Sequence, residues 1–281
     1  MSDIHAINEA INKRAGRKLG PSIVVGLSLL ALIWASLAYY RGAFAAVVLI
    51  AVILGVREII GAFKSKGIYL SRAANYSAAF AIGVAAWIGG TRGLLSATVI
   101  ATIISLIALL RKGSENFVAN ATAAVFSILY LPFLASFFIL LARPHNGFEQ
   151  VATAIVLVAS NDTFGYLIGV LFGKHKLVPK ISPKKSIEGL IGSIVFNSIF
   201  GALTFKYLLN YPIWLGIAVG LLVVFTATTG DLVESALKRD FALKDMSQFL
   251  PGHGGVLDRL DSIVFTGPAV WLVLELAKRY L

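Results

Sequence analysis

The sequence contains no cysteine and few charged residues. Without cysteine, the chain can form no disulfide, supply no thiolate to a metal ion and use no thiol as a nucleophile. Charged residues make up 14% of the chain and hydrophobic residues 58%, with a mean hydropathy of +0.83, whereas about a quarter of a soluble domain is charged. The composition therefore indicates an integral membrane protein.

Long apolar runs account for most of the chain. A helix that crosses the hydrocarbon core needs about 20 apolar residues, and Gly, Pro or charged residues bound such runs here. The predicted spans are residues 23–40, 43–63, 73–90, 94–110, 118–141, 149–173, 187–207, 212–238 and 257–277. We therefore predict an all-α polytopic membrane protein of about nine transmembrane helices, with a single catalytic domain over residues 21–281. The third and fourth runs are short, so they could instead form one re-entrant hairpin.

The first 20 residues have a different pattern. Ile4, Ile7 and Ile11 recur at helical spacing, and four basic residues lie near them. This pattern predicts an amphipathic segment on the membrane surface, with a frayed tail as the alternative. A cleaved signal peptide fits less well, because the apolar run that follows is too long.

Lysine and arginine are distributed unevenly along the predicted bundle. With a cytoplasmic N-terminus, 19 of the 25 lie in the N-terminal segment or in and beside the loops after even-numbered spans, and six lie on the other side. Loops rich in Lys and Arg stay in the cytoplasm. We thus predict the cytoplasmic (inner) membrane, with the polar stretches at its cytoplasmic side. This orientation explains the net charge of +11 without a nucleic-acid partner.

Carboxylates are concentrated in residues 230–262, between two apolar runs. Asp231 and Glu234 are three residues apart, as are Asp258 and Asp261, so each pair lies on one helix face. Oxygen ligands of this kind suit Mg²⁺. In the alternative, the second pair only complements a helix dipole, which would explain one carboxylate but not four at one depth.

Basic and glycine-rich motifs accompany these carboxylates. Lys238 and Arg239 follow one helical turn after Ser235, and ammonium and guanidinium groups are suited to phosphate. Lys244 and Asp245 come next, followed by the turn at residues 251–255, Pro-Gly-His-Gly-Gly. Glycines in such a turn let backbone amides approach a ligand closely. The pattern predicts a phosphate site beside a hard cation.

A second polar stretch covers residues 160–192. Asp162 lies inside the sixth predicted span, about 16 Å from its cytoplasmic end at 1.5 Å per residue. It is either part of a polar site or a hydrogen-bonding group between helices. Five lysines follow, and Ser186 is predicted to cap a helix that would favour an anion at its start. A loop that only orients the protein would explain the lysines but not the motif around them.

Together, Ser235-x-x-Lys238-Arg239, Lys244-Asp245, Pro251-Gly252-His253-Gly254-Gly255 and Asp258-Arg259-x-Asp261 resemble the signature of bacterial phosphatidate cytidylyltransferases, the CDP-diacylglycerol synthases. Asp162, Phe172-Gly173 and Ser182-Pro183-Lys184-Lys185-Ser186-x-Glu188-Gly189 also look like this family. Residues 1–150 share only its general hydropathy. One departure is Gly165, where relatives usually have Ala before the tyrosine.

The resemblance implies transfer of CMP from CTP to phosphatidic acid, which gives CDP-diacylglycerol and pyrophosphate for phospholipid synthesis. It also implies a requirement for Mg²⁺, a monovalent cation such as K⁺ beside it, and a homodimer in the lipid bilayer.

Site residues follow from the same motifs. Expected Mg²⁺ ligands are Asp231 and Asp258, then Asp261, Glu234 and Asp162. Expected catalytic contacts to the triphosphate or the lipid phosphate are Lys238, Arg239, His253 and Arg259. Expected substrate-binding residues are Ser182, Lys184, Lys185, Ser186, Glu188, Ser235, Lys244, Asp245, Gly254 and Gly255. His253 could instead form a hydrogen bond that stabilises its turn, and Arg259 could snorkel to the interface.

Two other functions compete with this interpretation. A secondary transporter also carries buried carboxylates, but it places them near the bilayer midplane in two matched halves. A CTP-dependent transferase for polyprenol or archaeal-type lipids would use the same phosphate and metal groups.

Overall fold

The computed structural model describes residues 19–111, 113–249 and 254–280, with side chains from Gly26 onward. The predicted amphipathic segment at residues 1–20 therefore lies almost entirely outside the described residues. Eight helices make up most of this part of the chain. They are α1 Leu19–Tyr39, α2 Arg41–Ser65, α3 Arg72–Leu110, α4 Phe117–Ala142, α5 Gly147–Phe172, α6 Ile187–Tyr207, α7 Ile213–Asp240 and α8 Leu257–Tyr280.

Seven of these helices, α2 to α8, are long and apolar enough to cross a membrane. The prediction of an all-α polytopic membrane protein is confirmed. The predicted count of nine is approximate, because it requires that α1 and both parts of α3 each count as one span.

Helix α3 is broken at Gly90, whose φ of 61° and ψ of −144° are not helical. A side chain at Gly93 would collide with the carbonyl of Ala85. In a straight helix, residues eight apart lie about 12 Å from each other, so the chain folds back at Gly90. The two parts are about 27 and 30 Å long at 1.5 Å per residue. Those lengths favour two crossing segments at this position.

Helix α4 lies at the centre of the bundle. In its most apolar window 72% of the residues are buried, against 22–44% in the other candidate spans. A π-helical turn at Leu129–Phe133 interrupts it where Pro132 cannot donate a backbone hydrogen bond.

Helices α5, α6, α7 and α8 pack in sequence order and carry the predicted site. The crossing of α6 and α7 is close because Gly201 and Gly216 pack backbone to backbone, where a Cβ atom would collide. Small residues of this kind allow transmembrane helices to approach each other closely.

The basic segment between α5 and α6 forms an antiparallel β-hairpin. Strand β1 is Lys176–Val178 and strand β2 is Ser182–Ser186, and Lys176 pairs with Ser186. The sequence analysis predicted a loop here, because the polar Ser-Pro-Lys-Lys-Ser run lacks the alternating apolar pattern of a half-buried strand. The hairpin holds the lysines at fixed positions over α5 and α7.

Candidate active site

The carboxylates of the two polar stretches come together at one end of the bundle. Helix α7 supplies Asp231 and Glu234, α8 supplies Asp258 and Asp261, and α5 supplies Asp162. The contacts between α7 and its neighbours α5, α8 and β2 allow this convergence. The expectation that residues 160–262 form one site is consistent with this placement.

Lys238 lies between two carboxylates. Its Nζ is 2.8 Å from Asp258 Oδ1, and it also forms an ion pair with Glu234 on the preceding turn of α7. Glu234 is fully buried and Lys238 is 19% exposed. Removing charges from water is costly unless they are paired. The geometry therefore gives Lys238 a charge-balancing role in addition to the phosphate contact predicted from the sequence.

Both oxygens of Asp258 are already engaged. Oδ1 accepts from Lys238, while Oδ2 accepts from the backbone N–H groups of Met246 at 2.9 Å and Gly255 at 2.7 Å. Asp258 thereby holds together the two ends of the turn that precedes α8. Gly254, with φ of 80°, makes that turn possible. With three donors in place, Asp258 is less available to a metal ion than its sequence position suggested.

Asp231 connects the two motif stretches. Its Oδ2 is 2.8 Å from Lys185 Nζ on strand β2, and its Oδ1 accepts from Ser235 Oγ at 3.2 Å. The Lys185 ammonium also donates to the carbonyl of Thr228 at 3.4 Å. These contacts fix the hairpin against the carboxylate face of α7. Charged hydrogen bonds of this kind are stronger than neutral ones.

Two further carboxylates, Asp162 and Asp261, accompany Asp231. Asp162, Asp231 and Asp261 are close enough to act on one another electrostatically. Asn161 and Ser262 donate to Asp162 Oδ1 at 3.0 and 3.5 Å, and the Ser262 N–H donates to Asp261.

The described part of the chain contains no group of three His, Cys, Asp or Glu side chains already spaced to hold a metal ion. The chemistry nevertheless fits a hard cation. Five carboxylates converge, and the two lysines paired with them leave negative charge in excess. A divalent cation would offset that excess with oxygen ligands alone.

A cavity of 770 Å³ lies beside these carboxylates. Helices α5, α6 and α7 and the hairpin enclose it. Lys176, Lys184 and Lys185 line it together with Asp162 and Asp231, and Lys185 is paired with Asp231. Its polar lining also includes Ser182 and Ser186, as the sequence predicted for substrate-binding residues. The cavity can thus hold a ligand with both phosphate groups and a cation.

Three of the predicted contact residues have partners within the protein, and their contacts to substrate stay predictions. Glu188 accepts from the His175 backbone N–H at 3.2 Å, and one of its oxygens is 2.7 Å from His175 Nδ1. Arg239 Nε donates to the Ile181 carbonyl at 2.6 Å. Ser186 caps α6 and accepts from the Gly189 N–H at 3.1 Å, which confirms the predicted N-cap. These bonds fix the two ends of the hairpin.

The remaining predicted residues lie around the same turn. Lys244 is exposed, and Asp245 lies near Gly254. Arg259 is partly buried, and its Nε has no hydrogen-bond partner among the described residues. Gly255 packs against a carboxylate from another helix. His253 lies outside the described residues, so its role stays a prediction.

That carboxylate belongs to Glu58 on α2, which the sequence analysis missed. It accepts from Ser247 Oγ at 2.6 Å and from the backbone N–H groups of Val256 and Leu257 at 2.9 and 2.8 Å. It is 8% exposed and satisfies the otherwise free N–H groups at the start of α8. The signal was a carboxylate inside an apolar span, which is costly unless it has partners.

The chain is similar to known proteins over most of its length. A model of the cytidylyltransferase family matches residues 21–277. The phosphatidate cytidylyltransferase of Mycobacterium bovis is 35% identical over 276 residues, covering 94% of this chain and 90% of that protein. The protein of the same name from Mycobacterium leprae is 34% identical over 279 residues, which cover 94% and 89% of the two chains. The one from Staphylococcus aureus is 43% identical over 131 residues, covering 46% of this chain and 50% of that protein.

The matched region includes the five converging carboxylates, the hairpin and the helices that carry them. The resemblance drawn from the motifs is confirmed, and the chain belongs to the cytidylyltransferase family.

Proposed function

We propose that this protein transfers CMP from CTP to phosphatidic acid, giving CDP-diacylglycerol and pyrophosphate. The ion pair between Lys185 and Asp231 carries the proposal, because it joins a lysine-rich strand and a carboxylate-rich helix face at one cavity. Relatives named phosphatidate cytidylyltransferase, which match over nearly their whole length, support the choice of substrates.

The lysine side of the cavity suits the triphosphate of CTP. Lys176, Lys184 and Lys185 offer ammonium groups to phosphate oxygens. The start of α6 adds the positive end of a helix dipole beside Ser186. The nucleotide phosphates would therefore lie between the hairpin and the carboxylates of α5 and α7.

The reaction does not require a strong general base. A lipid phosphomonoester, with a second pKa of about 6, is largely a dianion at neutral pH. One of its oxygens bonds to the α-phosphorus of CTP as the bond from that phosphorus to the bridging β-phosphate oxygen breaks, and pyrophosphate leaves. The side chains need to align the two phosphates and reduce their repulsion.

Magnesium would bind on the carboxylate side, and we assign it to Asp231, Asp261 and Asp162 ahead of Asp258 and Glu234. The last two are held by Lys238 and by backbone donors. When bound, Mg²⁺ would offset phosphate charge, and K⁺ would take up part of the remaining carboxylate charge. Asp258 then acts by fixing the turn and by holding Lys238 in place.

The site would open to the cytoplasmic side of the inner membrane, as the distribution of basic residues predicts. We also propose a homodimer, as the motif resemblance implies. Many large apolar side chains on the helix surfaces are available to lipid or to a second copy, among them Ile88, Ile100 and Phe225.

Product analysis tests this function. Purified protein is incubated with radiolabelled CTP, Mg²⁺ and one acceptor at a time: phosphatidic acid, a polyprenyl phosphate or an unsaturated archaeal-type ether-lipid phosphate. Thin-layer chromatography should give a labelled lipid with phosphatidic acid. If the label were transferred only to one of the other acceptors, that acceptor would replace phosphatidic acid as the proposed substrate. If no acceptor gave a labelled lipid, the transferase function would be rejected.

A further inference from the structure

An apolar groove runs along the outside of the bundle between α4 and α8. Its volume is 630 Å³, and its walls include Val125, Phe126, Leu129 and Phe265, with Tyr130 at its base. Leu129 is 42% exposed, so the groove opens on the outer surface of the bundle. Phe265 lies eight residues after the start of α8, about 12 Å along the helix. The groove is therefore at the same end of the membrane as the carboxylates.

Tyr130 connects the groove to the carboxylate site. Its ring stacks on Phe126 with 4.9 Å between the ring centroids and meets Phe265 edge-on at 6.1 Å. The side chain is only 4% exposed, and its hydroxyl has no hydrogen-bond partner in the described part of the chain. Tyr130 shares a core cluster with Val233 on α7 and Leu260 on α8, which are next to Glu234 and Asp261 in the sequence. One residue thus faces lipid-like surroundings and the polar site at once.

An unsatisfied buried hydroxyl is costly, and such groups in native proteins usually have a partner. The π-helical turn begins at Leu129, immediately before Tyr130, and π-helical turns occur frequently at functional sites. A ligand polar atom at the inner end of the groove would supply the missing partner. The rest of that ligand would have to be apolar.

We propose that this groove holds an acyl chain of the phosphatidic acid substrate and that the Tyr130 hydroxyl donates a hydrogen bond to its polar head. The inference rests on the proposed function. An acyl chain gains little from the hydrophobic effect when it moves from the bilayer into an apolar groove, because both surroundings are apolar. The groove would therefore contribute alignment: it would fix the chain so that the lipid phosphate lies near the cation that Asp231 and Asp261 would hold.

Filling the groove tests the acyl-chain part. Val125→Trp places a large ring in the groove, and Val118→Trp is the matched control. Val118 lies two helical turns earlier on α4, is 78% exposed and does not line the groove. Each variant is assayed in mixed micelles with dioleoyl and with dihexanoyl phosphatidic acid, and kcat and KM are measured for lipid and for CTP.

For dioleoyl phosphatidic acid, Val125→Trp should lower kcat/KM by about tenfold or more, with the KM for CTP unchanged. The dihexanoyl lipid should lose much less, and Val118→Trp should behave like the unmodified protein. An equal loss with both lipids, or a loss confined to CTP, would overturn the proposal. If Val125→Trp kept normal kinetics but light scattering showed that it had lost a dimer formed by the unmodified protein, the groove would be a contact between two copies. An unmodified protein that forms no CDP-lipid from either acceptor would instead refute the proposed function.

Removing the hydroxyl tests the polar part. Tyr130→Phe keeps the ring contacts, and Tyr76→Phe, in the same core cluster, is the control. A hydrogen bond to a charged phosphate corresponds to roughly a tenfold effect, so Tyr130→Phe should raise the KM for lipid or lower kcat by about that factor. The KM for CTP should not change, and the melting temperature should not fall, because the hydroxyl has no partner in the described part of the chain. Lipid kinetics identical to those of Tyr76→Phe would show that the hydroxyl does not contact the substrate.

Discussion

The ammonium of Lys185 lies 2.8 Å from the carboxylate of Asp231. The two residues belong to a β-strand and to the end of a transmembrane helix, and they bring a basic and an acidic motif to one cavity. In the proposed function, Lys185 would bind phosphate oxygens, and Asp231 would then be free to hold a cation.

Lys185→Ala should therefore impair turnover. Loss of one charged hydrogen bond, at about 1.5–3 kcal/mol, predicts a ten- to hundredfold lower kcat/KM for CTP. Lys180→Ala is the control, because Lys180 lies in the same hairpin, is exposed and does not line the cavity. Steady-state assays on folded, purified variants check this. If both variants kept normal kinetics, the hairpin lysines would serve only to orient the protein.

The buried pair of Lys238 and Glu234 gives a prediction about stability. Lys238→Met would leave the fully buried Glu234 without its cation, and breaking one partner of a buried pair costs about 3–5 kcal/mol. We expect a clear fall in melting temperature in detergent. A second change, Glu234→Gln, should recover much of it, because it removes the uncompensated charge. A double variant no more stable than Lys238→Met would contradict this pairing.

Glu58 is predicted to position the turn that carries Asp258. In Glu58→Gln, an amide NH₂ would replace one of the two carboxylate oxygens that accept hydrogen bonds from Ser247 and from the backbone at the start of α8. A donor would then face a donor, which should destabilise the protein by about 1–3 kcal/mol. Turnover should fall with little change in the KM for lipid, and the melting temperature should fall as well. Glu275→Gln, on an exposed part of α8, is the control and should leave both unchanged. Full activity in Glu58→Gln would make this carboxylate dispensable.

The absence of cysteine allows a direct topology measurement. Single cysteines at exposed positions Lys180 and Asn210 lie in the hairpin and in the loop between α6 and α7. An impermeant maleimide should label Lys180→Cys only after cells are opened and Asn210→Cys in intact spheroplasts. The reverse pattern would overturn the predicted orientation and would place the cavity outside the cytoplasm.

Hydropathy was sufficient to predict the membrane fold. A helix that crosses the membrane forms its backbone hydrogen bonds internally and must be apolar over a fixed length. The break at Gly90 was predicted in position, because one apolar run ends at residue 90 and the next begins at residue 94. The runs are short, however, so the sequence left a re-entrant hairpin as the alternative to two spans. The hairpin at residues 176–186 was missed because its strands are polar and because two of the residues that hold it, Asp231 and Arg239, belong to a distant helix.

The site motifs could be located from the sequence, but the different roles of the residues within them could not. The sequence ranked Asp231 and Asp258 together as metal ligands, yet Asp258 is bound by three donors and Asp231 lines the cavity. Glu58 and Tyr130 lie outside the motifs, and their contacts depend on helix packing that periodicity does not reveal.

The most direct test of the account is cytidylyl transfer by purified, folded Asp231→Asn, measured with labelled CTP and phosphatidic acid across a range of Mg²⁺ concentrations. The change keeps the size of the side chain but removes the charge that would bind the cation and hold Lys185. We predict at least about a hundredfold lower turnover, on the order of 3 kcal/mol, only partly recovered by excess Mg²⁺. Near-normal transfer with unchanged Mg²⁺ dependence would contradict the account and would make this carboxylate structural.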